Sequence, residues 1–476
     1  MRFAFKITIV IIFAISTVLV FPSCKKQVEL SSYDLSIKYE DGKIDGKLVY
    51  KFVNSYKTTF EHVAFNLHAN AYKENATNRP TTVTNQAKGY PDGVSYGKIE
   101  IGGVRVKGLV AKHQIYGEDD NFLKVFVGNV KKGDSVTIEI DFITYIPKSA
   151  LRLGENSTGV NLADFFPVAC KVQNGKFLEI NYSPVGDPYF ADLHDYKVDI
   201  TVPSEYTVAS SGFPTLTNVD GITTTYSYTL QNGRDFAFLL SKNYSVASKT
   251  SGGVVFTYYG YGSDVEEMLS LAIDTVSYFS KTFGDYPYKS LSLAECSLAF
   301  GGMEYTGLCF IDYTLEKEDK QSVIAHEIAH QWWHSSVTNN QYTCGYIDEG
   351  LAEYSTYLYF KARKGKSFAD EMINSAKLAY KSFFSVEETL SGNVNTVMQR
   401  ELSTFKNEYE YSNVAYNKSL IMFYEYGKAI GEDKAIKKLA KLYSSNENGE
   451  LSLEKLIKGL GYGEHFKSFV YGKVLI

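Results

Sequence analysis

The apolar pattern of this sequence changes period near residue 250, and that change limits the folds open to it more than any other feature. Over residues 33–248, short stretches rich in Val, Ile, Tyr, Phe and Thr alternate with polar residues, as at 47–53, 122–127, 135–142, 196–202 and 223–229. A period of two puts one set of side chains on one face of a sheet. Asp41-Gly42 and Asn232-Gly233 punctuate these stretches with the residues that turns require. After Ser251-Gly252-Gly253 a further strand pattern, 254–259, leads into 264–282, where Leu269, Ala272, Ile273, Val276 and Phe279 recur at helical spacing. Helical patterns follow at 319–335, 348–363, 368–384 and 412–430, with a small sheet near 291–310. The expected architecture is multidomain α+β: an all-β domain over 24–250, then a mainly α domain with a small mixed sheet over 251–476.

A chain of 476 residues with 44% hydrophobic and 22% charged content can bury a core in each domain. Its net charge of −5 supplies no positive field for nucleic acid. The first residues read as an export signal. Arg2 and Lys6 precede an apolar run at 7–21, shorter than the roughly 20 residues of a membrane span. The run ends at Pro22-Ser23-Cys24, a small residue before a Cys, as at bacterial lipoprotein processing sites. Residues 1–23 are therefore expected to be a signal peptide. Cys24 becomes the lipidated mature N-terminus, and the protein is exported and membrane-attached in the cell envelope or periplasm. The other cysteines, Cys170, Cys296, Cys309 and Cys344, have no Cys-x-x-Cys spacing. Cys296 and Cys309 either face each other across neighbouring strands or are buried thiols.

The chemistry concentrates in the second half. His326-Glu327-Ile328-Ala329-His330 places two imidazoles one helical turn apart on one face, where both can reach one ion. Glu327 is offset from that pair, where its carboxylate can take a proton from a water on the ion. Asp319 and Ser322 can cap this helix. A catalytic zinc requires a third protein ligand and an open fourth position. Glu349 opens the next helical stretch, nineteen positions after His330, and can close a His-His-Glu set. Glu353, one turn on, can orient a ligand histidine, although both acids also suit a helix N-terminus electrostatically. His334 falls a further turn along, but on a straight helix it would stand about 12 Å from His326 and could not share the ion.

The stretch HEIAHQWWHSSVTNNQYTCGYIDEGLAEY resembles the HExxHQWxxxxVT…NEGxAxY signature of the gluzincin aminopeptidases, the membrane alanyl aminopeptidase and leukotriene hydrolase family, with Asp348 where Asn is usual. The resemblance implies one Zn2+ held by His326, His330 and Glu349, with Glu327 as general base. Phe300-Gly301-Gly302-Met303-Glu304-Tyr305 resembles the family's GxMEN segment, with Tyr305 for Asn. It implies an edge strand, Gly301, Gly302 and Met303, lying along the substrate and Glu304 gripping its free α-amine. Residues 414–419, Val-Ala-Tyr-Asn-Lys-Ser, resemble the YxKG segment. They imply Tyr416 as the donor that stabilises the oxyanion, with Tyr411 a lesser candidate.

The family's fold implies a saddle-like β domain followed by a thermolysin-like catalytic domain. Many members continue into a large helical domain. The sequence ends at Ile476 without one, so a more open cleft is expected. The implied activity is removal of N-terminal residues from peptide substrates. A zinc endopeptidase with an open cleft and a non-catalytic peptide-binding lipoprotein are the alternatives.

Overall fold

The structure is a computed structural model that describes residues 29–473. The expected signal peptide and Cys24 lie outside the described residues.

The alternation of the first half becomes one large twisted sheet. Its eight strands run in the order Phe213–Asp220, Thr223–Gly233, His194–Pro203, Ser31–Glu40, Lys43–Val53, Ser135–Tyr145, Lys98–Val106 and Leu109–Val110. Along Ser31–Glu40 the buried residues are Tyr33, Leu35, Ile37 and Tyr39, every second position. Asp41 and Gly42 close the first hairpin with φ of 49° and 72°, both left-handed, as a two-residue turn matched to strand twist requires. Asn232-Gly233 does not turn the chain. Both residues end the strand Thr223–Gly233 at a register shift opposite His194, and Asn232 donates its N–H to Asp195 Oδ1 at 3.1 Å. Here the left-handed residue serves a bulge. Two four-stranded sheets and a short hairpin complete a β-rich first half.

The second half is mainly helical around a five-stranded sheet. That sheet runs Ser245–Ser251, Val254–Gly260, Ser290–Cys296, Leu308–Asp312 and Gly302–Tyr305. The three central strands are parallel and the last is an antiparallel edge. Ser245–Ser251 thus pairs forward into this sheet, where it is antiparallel to Val254–Gly260. Register places Cys309 opposite Leu293 and Cys296 opposite Asp312, so the two cysteines do not face each other, and both are free and buried. The helix Val265–Phe283 buries Met268, Leu269, Ala272, Val276 and Phe279 at the expected spacing. The helices Tyr346–Lys364, Lys366–Ser391 and Lys418–Ile430 pack in the same core. Among the described residues no helix is long and apolar enough to cross a membrane.

The two cores meet through a buried arginine. Arg234, just past the large sheet, donates to the carbonyls of Ala191, Ser335, Ser336 and Gly449 at 2.9–3.2 Å. Four carbonyls satisfy the fork geometry of a guanidinium that would otherwise be costly to bury.

Candidate metal centre and active-site cleft

The His-x-x-x-His helix spans Lys317–Ala329, with Glu316 as its N-cap. Asp319 and Ser322 therefore sit inside the helix rather than capping it. Asp319 and Glu318 instead place negative charge in the first turn, where the helix dipole favours it. The expected helix continued to residue 335. In the structure it widens after Ala329 into a π-turn, Gln331–Ser336, with Trp333 kinked to φ −106° and ψ 38°. The bonds Ser335 N to His330 O at 2.9 Å and Val337 N to Trp332 O at 3.0 Å each skip one extra residue. The turn sends His334 away from the ligand face, and its Nε2 lies 3.3 Å from Asp235 Oδ2 of the preceding domain.

His326 Nε2 and His330 Nε2 stand 3.0 Å apart, and Glu349 Oε2 lies 3.2 and 3.4 Å from them. All three residues have ligand atoms within 4.8 Å of one another. Ligand atoms on a tetrahedral zinc at 2.0–2.1 Å are about 3.3 Å apart. The three measured separations bracket that value, so this donor set fits such an ion. Glu349 enters from the helix Tyr346–Lys364, as its position at a helix start suggested. Glu353, one turn further, places Oε1 3.2 Å from His326 Nδ1. That contact makes Nδ1 the protonated nitrogen and leaves Nε2 free for a metal.

Glu327 lies at the back of the same cleft, buried, with Oε2 lacking a hydrogen-bond partner among the described residues. Burial first, and the nearby Glu304 carboxylate as well, raise its pKa to about 8, against the pull of His326 and His330. The edge strand Gly302–Tyr305 runs so close to this helix that a Cβ at Gly302 would overlap the Glu327 carboxylate and Val323. Gln331 ties the two together: its Nε2 donates to Tyr305 O at 3.1 Å, and its Oε1 accepts from Gly307 N at 2.9 Å. Gln331 thereby links the turn after the metal helix to the hairpin that carries Glu304.

Tyr416 sits in a second π-turn, Ser412–Asn417, and its hydroxyl donates to Glu349 Oε1 at 2.6 Å. The helix after it packs tightly on Tyr346–Lys364, because Gly350 leaves room for Ser419. The Tyr411 ring lies edge-on to Tyr416 at 5.8 Å between centroids. Glu304, Gly301, Gly302, Met303, His326, Glu327, His330, Glu349, Tyr411 and Tyr416 all line one cleft of about 340 Å³. Every residue expected at the site is thus brought together.

Two contributors from the first half were not anticipated. Asp187 offers a carboxylate oxygen within 4.8 Å of one from Glu304 and one from Glu349, and Arg152 pairs with it. Both are buried, and burial raises the Asp187 pKa to about 7 despite Arg152. Arg152 Nε also contacts Met303 Sδ at 3.3 Å. Roughly 115 to 150 residues separate these groups from Glu304 in sequence, and no local pattern links them.

Residues 268–470 match the Peptidase family M1 domain. Aminopeptidase M1-A of Oryza sativa subsp. japonica is 28% identical over 183 residues, 34% of this chain and 21% of that protein. Leucine aminopeptidase 2 of Kluyveromyces lactis is 33% identical over 96 residues, 20% of this chain and 14% of that protein. The chain therefore aligns with about a fifth or less of the length of these two relatives. The M1 zinc metallopeptidase from Deinococcus radiodurans shares the fold across both halves, with a TM-score of 0.66 at 15% identity over 94% of each chain. A mutant of it bound to a Tyr-Ser-Ala substrate gives 0.65 at 14% identity over 94% of this chain and 95% of that one. Motifs, site geometry and fold agree: residues 268–470 match the peptidase family M1 domain, and both halves of the chain share the fold of a solved M1 zinc metallopeptidase.

Proposed function

We propose that the protein is a zinc-dependent aminopeptidase that removes N-terminal residues from peptides. The observation that carries this reading is the convergence of three groups in one cleft: the His326–His330–Glu349 donor set, the unpartnered Glu327 carboxylate, and Glu304 on an antiparallel edge strand. His326, His330 and Glu349 would hold one zinc ion, which when bound would supply Lewis acidity toward the scissile carbonyl and a water. Glu327 accepts a proton on its carboxylate and returns it to the leaving nitrogen. Tyr416 donates its O–H to the carbonyl oxygen as negative charge builds there. Glu304 accepts hydrogen bonds from the substrate's protonated amine, which fixes the distance from the chain's end to the bond that is cut. The edge strand Gly302–Tyr305 offers backbone groups along which an extended peptide can pair.

Hydrolysis of paired fluorogenic peptides, free-amine against N-acetylated, tests this reading with zinc-loaded protein and a Glu327→Gln control. Cleavage of the free-amine member alone is expected. Equal cleavage of both would move the assignment to an endopeptidase, and cleavage of neither across a broad panel would favour a peptide-binding role. Export and lipidation at Cys24 belong to the same proposal, supported by the charged start, the apolar run and the Ser23-Cys24 pair. Metabolic labelling with a radioactive fatty acid should mark the wild-type chain and not Cys24→Ala.

A further inference from the structure

The carboxylate proposed to hold the substrate's amine is itself held. Gln341 Nε2 donates to Glu304 Oε1 at 3.0 Å and to Asp348 Oδ2 at 2.7 Å. The other oxygen of Asp348 accepts from Asn339 Nδ2 at 2.9 Å, and that same amide reaches Cys344 O at 3.0 Å. Glu304, Gln341, Asp348 and Asn339 are all buried. Glu304, His334 and Asp348 also bring ligand atoms within 4.8 Å of one another, the spacing of a second cation site. Two of those three residues already accept from the Gln341 amide, so a neutral donor occupies the place a cation would need.

We propose that Gln341 is a positioning residue that acts through Glu304, and this rests on the reading that Glu304 binds the amine. A carboxylate turns freely about its last torsion, which is broad and two-fold, so an untethered Glu304 would present its charge at a variable distance and angle. One hydrogen bond from Gln341 pins Oε1 and leaves Oε2 for the ammonium group. The donor has to be neutral. A lysine or arginine there would orient Glu304 equally well but cancel the charge that attracts the substrate. Asp348 completes the device by fixing which end of the Gln341 amide faces Glu304. Gln341 Oε1 has no partner among the described residues, so the side chain's hydrogen bonding goes entirely to the two acids.

The test is steady-state kinetics on the zinc-loaded full chain, using a free-amine fluorogenic peptide and its N-acetylated twin. Gln341→Met keeps nearly the same volume and removes the donor. It should raise KM for the free-amine peptide about tenfold, as loss of a hydrogen bond to a charged group implies, and leave kcat within about threefold. Discrimination against the acetylated twin should fall in proportion. The double variant Gln341→Met/Asp348→Asn also removes the Asp348 charge that loses its donor, so that Glu304 alone is left without the amide, and it should show the same KM shift if the single variant folds poorly. Glu304→Gln sets the scale. If it raises KM while both Gln341 variants leave KM unchanged, or lower kcat alone, the positioning role is wrong and the amine reading survives. If Glu304→Gln itself leaves KM unchanged, the amine reading falls and this inference with it.

Discussion

The phenol of Tyr416 rests on Glu349: its hydroxyl donates to Oε1 at 2.6 Å, while Oε2 of the same carboxylate faces the two imidazoles. The proposed oxyanion donor is thus stored one bond away from the metal centre. Replacing Tyr416 with Phe should lower kcat by about two orders of magnitude, the cost of removing one such donor, and leave zinc content unchanged. Metal analysis beside the kinetics decides the matter. If zinc were lost together with activity, the hydroxyl would serve to hold Glu349 rather than the substrate's oxygen.

Glu327→Gln removes the proton acceptor without altering the donor set. Turnover should fall by about three orders of magnitude while one zinc per chain is retained by metal analysis. Appreciable residual turnover would place the proton transfer on another group.

The close approach of the edge strand to the metal helix gives a third expectation. At Gly302→Ala the new methyl meets the Glu327 carboxylate and Val323. Either the strand retreats or Glu327 moves, so kcat should drop at least tenfold, with a stability cost of about 1–3 kcal/mol. A variant with full activity would show that the strand is free to shift.

Metal removal should be felt in stability as well as activity. An ion that binds the folded chain and not the unfolded one contributes about 2.7 kcal/mol at a hundredfold excess over Kd. Thermal melts with and without a chelator should separate by several degrees in wild type and coincide in His326→Ala. Coincident wild-type curves would mean that the site is not occupied under those conditions.

Acid should weaken the β domain through His194. This residue is buried between Tyr50 and the Asp192 carbonyl, and burial lowers its pKa to about 4 even though Asp192 opposes the shift. The unfolded imidazole binds a proton below about pH 6.5, whereas the folded one stays neutral until about pH 4. Stability from this group is therefore complete above pH 6.5 and declines as pH falls toward 4, by about 3 kcal/mol in all. Denaturant unfolding at pH 4.5 and 7 should show a smaller difference for His194→Gln than for wild type. Equal differences would assign acid sensitivity elsewhere.

Much of the site was legible because its spacing is local. A helix fixes where His326, Glu327 and His330 point once its existence is granted, and Glu349 and Glu353 follow from a second helix start. The π-turn after Ala329 was not legible, since one extra residue per turn leaves the apolar pattern of Trp332, Trp333 and Val337 intact while rotating His334 toward Asp235. Asp187, Arg152 and Gln341 escaped for a related reason. Their roles come from contacts across the two halves or between buried acids, and neither leaves a period in the sequence. Asn232-Gly233 shows the converse, since the same residue types that close a hairpin can end a strand at a bulge. Only pairing partners distinguish the two.

Arg234 bears on how this enzyme fold can be divided. Its guanidinium caps the carbonyls of Ser335 and Ser336, at the end of the π-turn that follows the metal helix, and of Gly449 in a later loop. A chain begun at residue 251 would lack that cap and would also lack all but the last residue of Ser245–Ser251, the outer strand of the catalytic sheet. The peptidase half is consequently not a portable module. It borrows an arginine and a strand from the residues before it, so transplanting or trimming the protein has to respect a seam that lies upstream of the composition change.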